Sequence, residues 1–463
     1  MSAVLFVKRK ALSSQTICPL LSPTSSAFRP KNTVIQHFVR SRQVWIHPSH
    51  DGRARAFSST RLNAKRLLLN ALPPRTNFYL KEAPAKEPLS LEWYQPPRNL
   101  LLIKKDCSEE STEALKEFGK HVKSTYPEVN ILLEARVSSE IGDNLNFDHF
   151  GPTDSADPKP QYHDKVDLVV TFGGDGTILH AASLFATSSK VPPILSFSMG
   201  TLGFLSEWKI SEYKRAFRET YMSGATSERH SVIEGPSSTG AKGDHTGWSS
   251  ARGKSMGQAR GARVLVRQRL KVAIFDPEDN QLSSNGDTLH DTHAMNEVIL
   301  HRGRDPHLAI MEVYVGGRFL TEAVADGMII STPTGSTAYS LSSGGSIIHP
   351  LVSSLLLTPI CPRSLSFRPL VLPATTPITL KLSEKNRGRE VEVSIDGVRR
   401  REGIGVGTEL RVSGEEIKTE TDGFVAGIPC IMRGASAGTE SDDGWVGGLN
   451  GLLKFNYPFG EER

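Results

Sequence analysis

No apolar run in the sequence approaches the roughly 20 residues needed to cross a bilayer, which excludes an integral helical membrane protein. Cysteine is scarce. The four present, Cys18, Cys107, Cys361 and Cys430, are far apart and show no paired spacing. They fit neither a disulfide framework nor a zinc site, and a reducing compartment is expected. Acid is nearly missing from the first 66 residues, which carry Asp51 alone against twelve Lys and Arg. The net charge of +5 therefore belongs to this leader, and the remainder of the chain is mildly acidic. A body of that charge gives no electrostatic case for nucleic acid.

What the leader does contain is Arg, Ser and scattered apolar residues such as Leu5, Phe6, Val7 and Ile17. That is the composition of a mitochondrial transit peptide. A secretory signal needs an unbroken apolar core, and Lys8-Arg9-Lys10 falls where the core would be. Arg53-Ala54-Arg55-Ala56-Phe57-Ser58-Ser59 resembles a presequence processing site. Residues 1–66 are thus read as a disordered transit peptide directing the protein to the mitochondrial matrix. A basic tail with no address is the alternative.

From Asn99 the texture changes. Leu100-Leu101-Leu102-Ile103 reads as a strand, 108–126 as a helix with Leu115, Phe118 and Val122 on one face, and 129–133 as a second strand. Strands at 166–171 and 193–197 follow, then a helix over 211–222 closed by Gly224. Strands alternating with helices predict an α/β domain with a largely parallel sheet over 98–226. Residues 227–261 are Gly, Ser, Lys, Arg and Thr with almost nothing apolar, and are read as a disordered insertion. Beyond it come short runs with turn signals: 264–270, 272–275, 297–300, 310–315, 327–331, 378–382 and 391–395, with Asp396-Gly397 as a hairpin signal. Residues 262–430 are expected to be mostly β, a sandwich or similar two-layer structure. Residues 431–463 form a C-terminal tail.

The first site candidate is Gly173-Gly174-Asp175-Gly176-Thr177, where an apolar strand meets a helix. Glycines there let backbone N–H groups approach an anion, and the helix N-terminus adds a favourable partial charge. No Walker lysine follows, so this is not a P-loop, and the spacing is not Gly-x-Gly-x-x-Gly. A carboxylate repels phosphate. Asp175 makes chemical sense if it addresses a hydroxyl while phosphate lies on the neighbouring amides, as a phosphoryl transferase needs. The loop alone leaves a second reading equally open, that Asp175 caps the helix.

Further motifs lie downstream. Met199-Gly200-Thr201-Leu202-Gly203-Phe204-Leu205-Ser206 follows the fourth strand. Asn296-Glu297 opens a strand; Asn296 can donate and accept toward an adenine edge, whereas Glu297 can only accept, which suits ribose hydroxyls or an exocyclic amine. Thr334-Gly335-Ser336-Thr337 is a hydroxyl-rich turn suited to phosphate or ribose oxygens, and Ala338-Tyr339 offers a surface for adenine. Each also has a plainer reading, a surface strand start for the pair and an ordinary turn for the hydroxyls.

Taken together and in this order, these segments resemble the NAD kinase family. They are the GGDGT loop, the 199–206 segment, Asn296-Glu297, and Asp326-Gly327-Met328-Ile329-Ile330-Ser331-Thr332-Pro333-Thr334-Gly335-Ser336-Thr337-Ala338-Tyr339-Ser340 continuing to His349-Pro350. Ser364 to Leu370 is also family-like, and the resemblance runs from about Leu100 to Ser394. The resemblance implies an α/β domain followed by a β-rich domain with NAD between them. It implies ATP-dependent phosphorylation of the adenosine 2′-hydroxyl of NAD or NADH, with Asp175 activating that hydroxyl and Gly174 and Gly176 serving the phosphates. Asn296, Glu297, Asp326, Thr337, Ala338, Tyr339 and Ser340 are implied to line the dinucleotide site. Mg²⁺ would accompany ATP, held chiefly by the phosphates, with no dedicated metal cluster. A homo-oligomer is implied, with no nucleic-acid or membrane partner. The GGDGT loop is shared with diacylglycerol and sphingosine kinases, which makes a lipid kinase the competing reading; a non-catalytic NAD-binding sensor is a third, and Asp175 beside phosphates argues against it. Arg267-Gln268-Arg269-Leu270 resembles a basic strand of relatives, but a solvated strand face serves as well, and it stays outside the expected site.

Overall fold

The computed structural model describes residues 65–81, 89–152, 158–200, 203–225, 261–282, 292–401, 403–420, 423–433 and the single positions 445 and 449. All but the end of the basic leader, nearly all of the 227–261 segment and most of the C-terminal tail lie outside the described residues, as do Thr201 and Leu202.

The first layer forms where the sequence alternates. Strand β1 (Asn99–Lys104) is buried along its whole length and pairs in parallel with β2 (Asn130–Leu133) on one side and β3 (Leu168–Phe172) on the other. Strand β4 (Ile194–Ser198) continues the parallel run beside β3. Strands buried on both faces read as continuous apolar runs, which is why these were visible in the sequence. Helix α1 (Glu109–Thr125) starts where the Ser108 side chain accepts from the Ser111 N–H at 3.2 Å, with Glu109 and Glu110 in its first turn. Its apolar face sets Phe118 against Phe172 and Phe197 beneath it. Helix α2 (Ala135–Ile141) follows β2, and helix α3 (Asp175–Ser183) springs from the end of β3. Helix α4 (Tyr213–Tyr221) ends near Gly224, whose φ of +88° suits glycine and where an added Cβ would press on the Trp93 backbone.

The β-rich half holds two seven-stranded antiparallel sheets. One contains β6 (Leu270–Phe275). The other contains β7 (Glu297–His301), β8 (Gly327–Ser331), β9 (Ser354–Ile360) and β10 (Glu390–Ile395). Leu270, Val272 and Ile274 of the first sheet and Val298, Leu300, Met328 and Ile330 of the second share a single apolar core. This is the expected sandwich arrangement.

The division between the halves is not sequential. The run 264–270, expected as one strand, is two: β5 (Arg263–Arg267) pairs within the first sheet, and β6 within the second. The chain returns to the first sheet once more through β11 (Ile428–Met432), which lies between β4 and β5. Strands Phe78–Lys81 and Leu89–Trp93, upstream of β1, extend the same sheet beyond β5.

Candidate functional site

The glycine loop occupies the C-terminal end of β3, at the carboxyl edge of a parallel sheet, where α/β folds place their ligands. Gly173 is glycine for a packing reason, since a Cβ there would strike the Thr177 side chain. Gly174 and Gly176 have no such reason: among the described residues nothing lies within 4 Å of where their Cβ would be. They border a cleft of about 390 Å³ lined by Lys104, Lys105, Asp106, Arg136, Thr177 and His180. Lys104 is buried and paired with Glu140 at 2.9 Å, Arg136 pairs with Asp106, and His180 meets Glu134 at 2.7 Å. Bare glycine amides at a helix start, ringed by cationic side chains, suit a polyanion such as a triphosphate.

Asp175 turns away from its own helix. Its carboxylate accepts from the Phe204 N–H at 3.0 Å and the Leu205 N–H at 3.1 Å. Gly203 lies so close beneath it that a Cβ would collide with the carboxylate. The capping reading considered for Asp175 is therefore not what the side chain does here: α3 has no side-chain cap bond, and both oxygens reach a different segment. Two N–H bonds leave further lone pairs on the carboxylate free to meet a hydroxyl.

The second group of residues assembles where β7 begins beside the end of β8. The Asn296 carbonyl accepts from the Thr332 N–H at 2.9 Å, and Thr332 Oγ1 donates to the Met295 carbonyl at 2.7 Å. Gly335 packs so tightly on the Asn296 carbonyl that only glycine fits. Asn296 Oδ1 and Glu297 Oε2 are buried and find no hydrogen-bond partner among the described residues. Such unpaired acceptors are costly in a closed interior and mark where a ligand's polar groups belong. Burial, and then the nearby Asp396, push the Glu297 carboxyl up to about 7, partly offset by the Tyr339 backbone N–H.

Tyr339 is thereby brought against Glu297, with its side chain 40% exposed. Thr337 Oγ1 donates to the Thr334 carbonyl at 3.1 Å, and Ala338 links the two short helical turns. Ser340 is fully buried, its hydroxyl shared with Thr358 at 2.9 Å. Asp326 is not brought to this group within one chain. Strand β8 runs antiparallel to β7, with Glu297 opposite Ser331 and His301 opposite Gly327, so Asp326 lies at the far end of the pair. There its carboxylate holds Arg302 Nε at 2.6 Å.

The two groups are tied together by a residue the sequence left outside the site. The solvated-face reading of 267–270 is corrected, because Arg267 and Arg269 are each only 2% exposed. Arg267 donates to the Phe204 carbonyl at 3.3 Å and to Thr334 Oγ1 at 3.4 Å. It thus joins the segment supporting Asp175 to the hydroxyl-rich turn. Arg269 makes a bidentate pair with Glu415 at 2.7 and 2.5 Å and donates to the Phe185 and Ser188 carbonyls. Buried cations need such pairing. Arg136, His180 and Asp396 also escaped the site reading. Arg136 and His180 meet the loop only in space, and Asp396 was visible only as a turn.

Family models match the chain in two blocks. The ATP-NAD kinase N-terminal domain covers residues 106–224, and the ATP-NAD kinase C-terminal domain covers 295–418. The chain is 40% identical over 370 residues to the mitochondrial NADH kinase pos5 of Schizosaccharomyces pombe, covering 80% of this chain and 78% of that protein. It is 36% identical over 401 residues to the mitochondrial NADH kinase POS5 of Saccharomyces cerevisiae, covering 80% and 83%. The crystal structure of yeast NADH kinase complexed with NADH superposes with a TM-score of 0.66 at 33% identity, covering 86% of this chain and all of that one.

Proposed function

Because the chain belongs to the ATP-NAD kinase family, we propose that it transfers the γ-phosphoryl group of ATP to the adenosine 2′-hydroxyl of NAD or NADH, giving NADP or NADPH. The observation that carries this reading is the Asp175 carboxylate, set among bare glycine amides yet bonded to a different segment. In that position it orients the ribose hydroxyl and takes its proton as the new O–P bond forms. The donor's phosphates lie on the Gly174 and Gly176 amides, with Lys105 and Arg136 countering the charge that spreads over the transferred group and His180 bordering the same cleft. Among the described residues no cluster of three or more His, Cys, Asp or Glu could hold a metal ion. Mg²⁺ would enter with ATP, held chiefly by the phosphates, and would supply neutralisation of the developing charge.

Asn296, Glu297, Thr337, Ala338 and Tyr339 are assigned to the dinucleotide, with Ser340 supporting the turn from behind. Asp326 is assigned by resemblance. From its position at the opposite end of β8, it serves a nucleotide only through a second copy of the chain, which accords with the homo-oligomer that the family resemblance implies. The working units are 98–226 for the donor side and 262–430 for the dinucleotide side, with β5 and β11 of the latter completing the first sheet. The basic leader, together with the mitochondrial location in the names of both yeast relatives, supports import into mitochondria.

The deciding experiment is to incubate the protein with Mg·ATP labelled at the γ position and NAD, NADH, diacylglycerol or sphingosine. Label is expected in the dinucleotides. Label in a lipid alone would overturn the assignment in favour of a lipid kinase.

A further inference from the structure

Asp396 follows β10 in a turn where Asp396 and Gly397 have φ of +47° and +79°. A non-glycine residue at positive φ is held there by its surroundings. Here the surroundings are three backbone donors. Asp396 Oδ2 accepts from the Met295 N–H at 2.7 Å, and Oδ1 accepts from the Asn296 N–H at 2.7 Å and the Glu297 N–H at 3.2 Å. Its own N–H donates to the Glu297 carbonyl at 3.0 Å. Asp396 is therefore fastened to the back of the Asn296–Glu297 pair. A turn of this type accepts Asn-Gly as readily as Asp-Gly. What the carboxylate adds over the amide is its charge and a second acceptor, since an amide nitrogen could not accept from the Met295 N–H.

That charge bears on Glu297. The groups facing the Glu297 carboxyl are the Asp396 carboxylate, from the turn after β10, and the Tyr339 amide, from the short helix after β8. Two buried carboxylates that interact do not both ionise readily. Three N–H donors favour the charge on Asp396, although burial pushes it up as well. With its carboxyl pushed up to about 7, Glu297 then holds the proton in an appreciable fraction of molecules near neutral pH. Since Oε2 has no partner among the described residues, the Tyr339 N–H falls to Oε1, and the proton belongs on Oε2, the oxygen left for a ligand.

We propose that Asp396 is a positioning residue for the dinucleotide: from behind β7 it fixes the Asn296–Glu297 backbone, and its charge adds to burial in favouring Glu297 as a hydrogen-bond donor toward the ligand. The inference rests on the NAD(H) kinase reading and deepens it. Asn296 Oδ1 lies next in sequence as a free acceptor, so the pair offers a donor beside an acceptor. A donating Glu297 also spares the anionic pyrophosphate a second negative neighbour.

The test is steady-state kinetics of the whole protein with Mg·ATP and NADH, with KM for NADH followed across neutral pH. The wild type should show KM rising several-fold as pH passes about 7, where Glu297 loses its proton. Glu297→Gln should abolish the rise. Asp396→Asn should move its midpoint down by about one pH unit. Asp396→Ser, a smaller neutral acceptor, should do the same and serves if the first variant fails to fold. A residue of purely structural importance would change KM at every pH without moving the midpoint, and that result overturns the inference. So does a wild-type KM that is flat or falls as pH rises. A wild type that phosphorylates neither NAD nor NADH defeats the functional reading itself, whereas one that turns over with an unmoved midpoint defeats only the role given to Asp396.

Discussion

Asp175 illustrates how a single side chain can be claimed by two roles and how geometry separates them. A capping aspartate bonds the N–H groups of its own first turn. This one reaches across to Phe204 and Leu205, which anchors the carboxylate without consuming all its lone pairs. Replacing it by Asn keeps the shape and removes the proton acceptor. We expect Asp175→Asn to lower kcat by roughly 10²–10⁴-fold while dinucleotide binding survives, as measured by turnover and by direct titration with NADH. Unchanged turnover would leave the residue a structural anchor alone.

Glu297 carries a consequence for stability as well as for binding. Its carboxyl is raised from 4.5 in the unfolded chain to about 7 in the folded one. The folded state therefore binds more protons. The stabilisation is fully present below the unfolded value and is lost as pH rises through about 7. Glu297→Gln, neutral throughout, should remove this dependence. The stability of the wild type relative to the variant is expected to fall by up to about 3 kcal/mol between pH 4.5 and 7, read from denaturant unfolding at several pH values. A constant difference would mean that Glu297 titrates normally.

At the scale of elements, the sequence located most strands because each reports its own environment. Ile378–Leu382 and Gly327–Ser331 fall where the apolar runs predicted them. The buried run of β9 and the strand Arg318–Ala325 went unassigned. In β9, Pro359 inside the run demotes a strand on sequence grounds. The first three positions of Arg318–Ala325 are exposed, so no alternation with a buried face announces it. Periodicity also cannot say which sheet a strand joins. That is why 264–270 read as a single run, although the chain changes sheets between Arg267 and Leu270. The crossing explains the buried arginines: at such a junction the polar groups of two layers converge, and long cations can satisfy carbonyls from both. Arg269 bridges them by donating to the Phe185 and Ser188 carbonyls, both just after α3, while pairing with Glu415 from the second half. Arg269→Ala would leave Glu415 only the Gly427 N–H at 2.8 Å and His293 at 3.5 Å, and we expect a loss of roughly 3–5 kcal/mol. Thermal unfolding is the measurement, and a loss below 1 kcal/mol would show that the pair is dispensable.

For the whole molecule, the site was legible as a set of motifs but not as an arrangement. The glycine loop, Asn296-Glu297 and the Thr334–Thr337 turn each carry a local signature. Arg136 and His180 carry none, because they reach the site only through the fold, and Arg267 lies in a recognisable basic strand whose burial the sequence does not reveal. The leader is a different case, since its composition acts before folding. A reporter fused to residues 1–66 is expected to enter mitochondria, scored by imaging or by protection from added protease. A reporter left in the cytosol would remove the localisation.

The interleaving of the first sheet also sets a schedule. Strand β11 is inserted between β4 and β5, far from any edge, yet it follows every other described strand in sequence. A ribosome or an import channel delivers residues from the N-terminus onward. The nascent polypeptide must therefore keep a slot open beside β4 until Ile428–Met432 has emerged. Premature termination anywhere before Ile428 would leave that slot unfilled and should yield protease-sensitive material rather than a free-standing α/β domain, as limited digestion of a product ending at residue 427 would reveal.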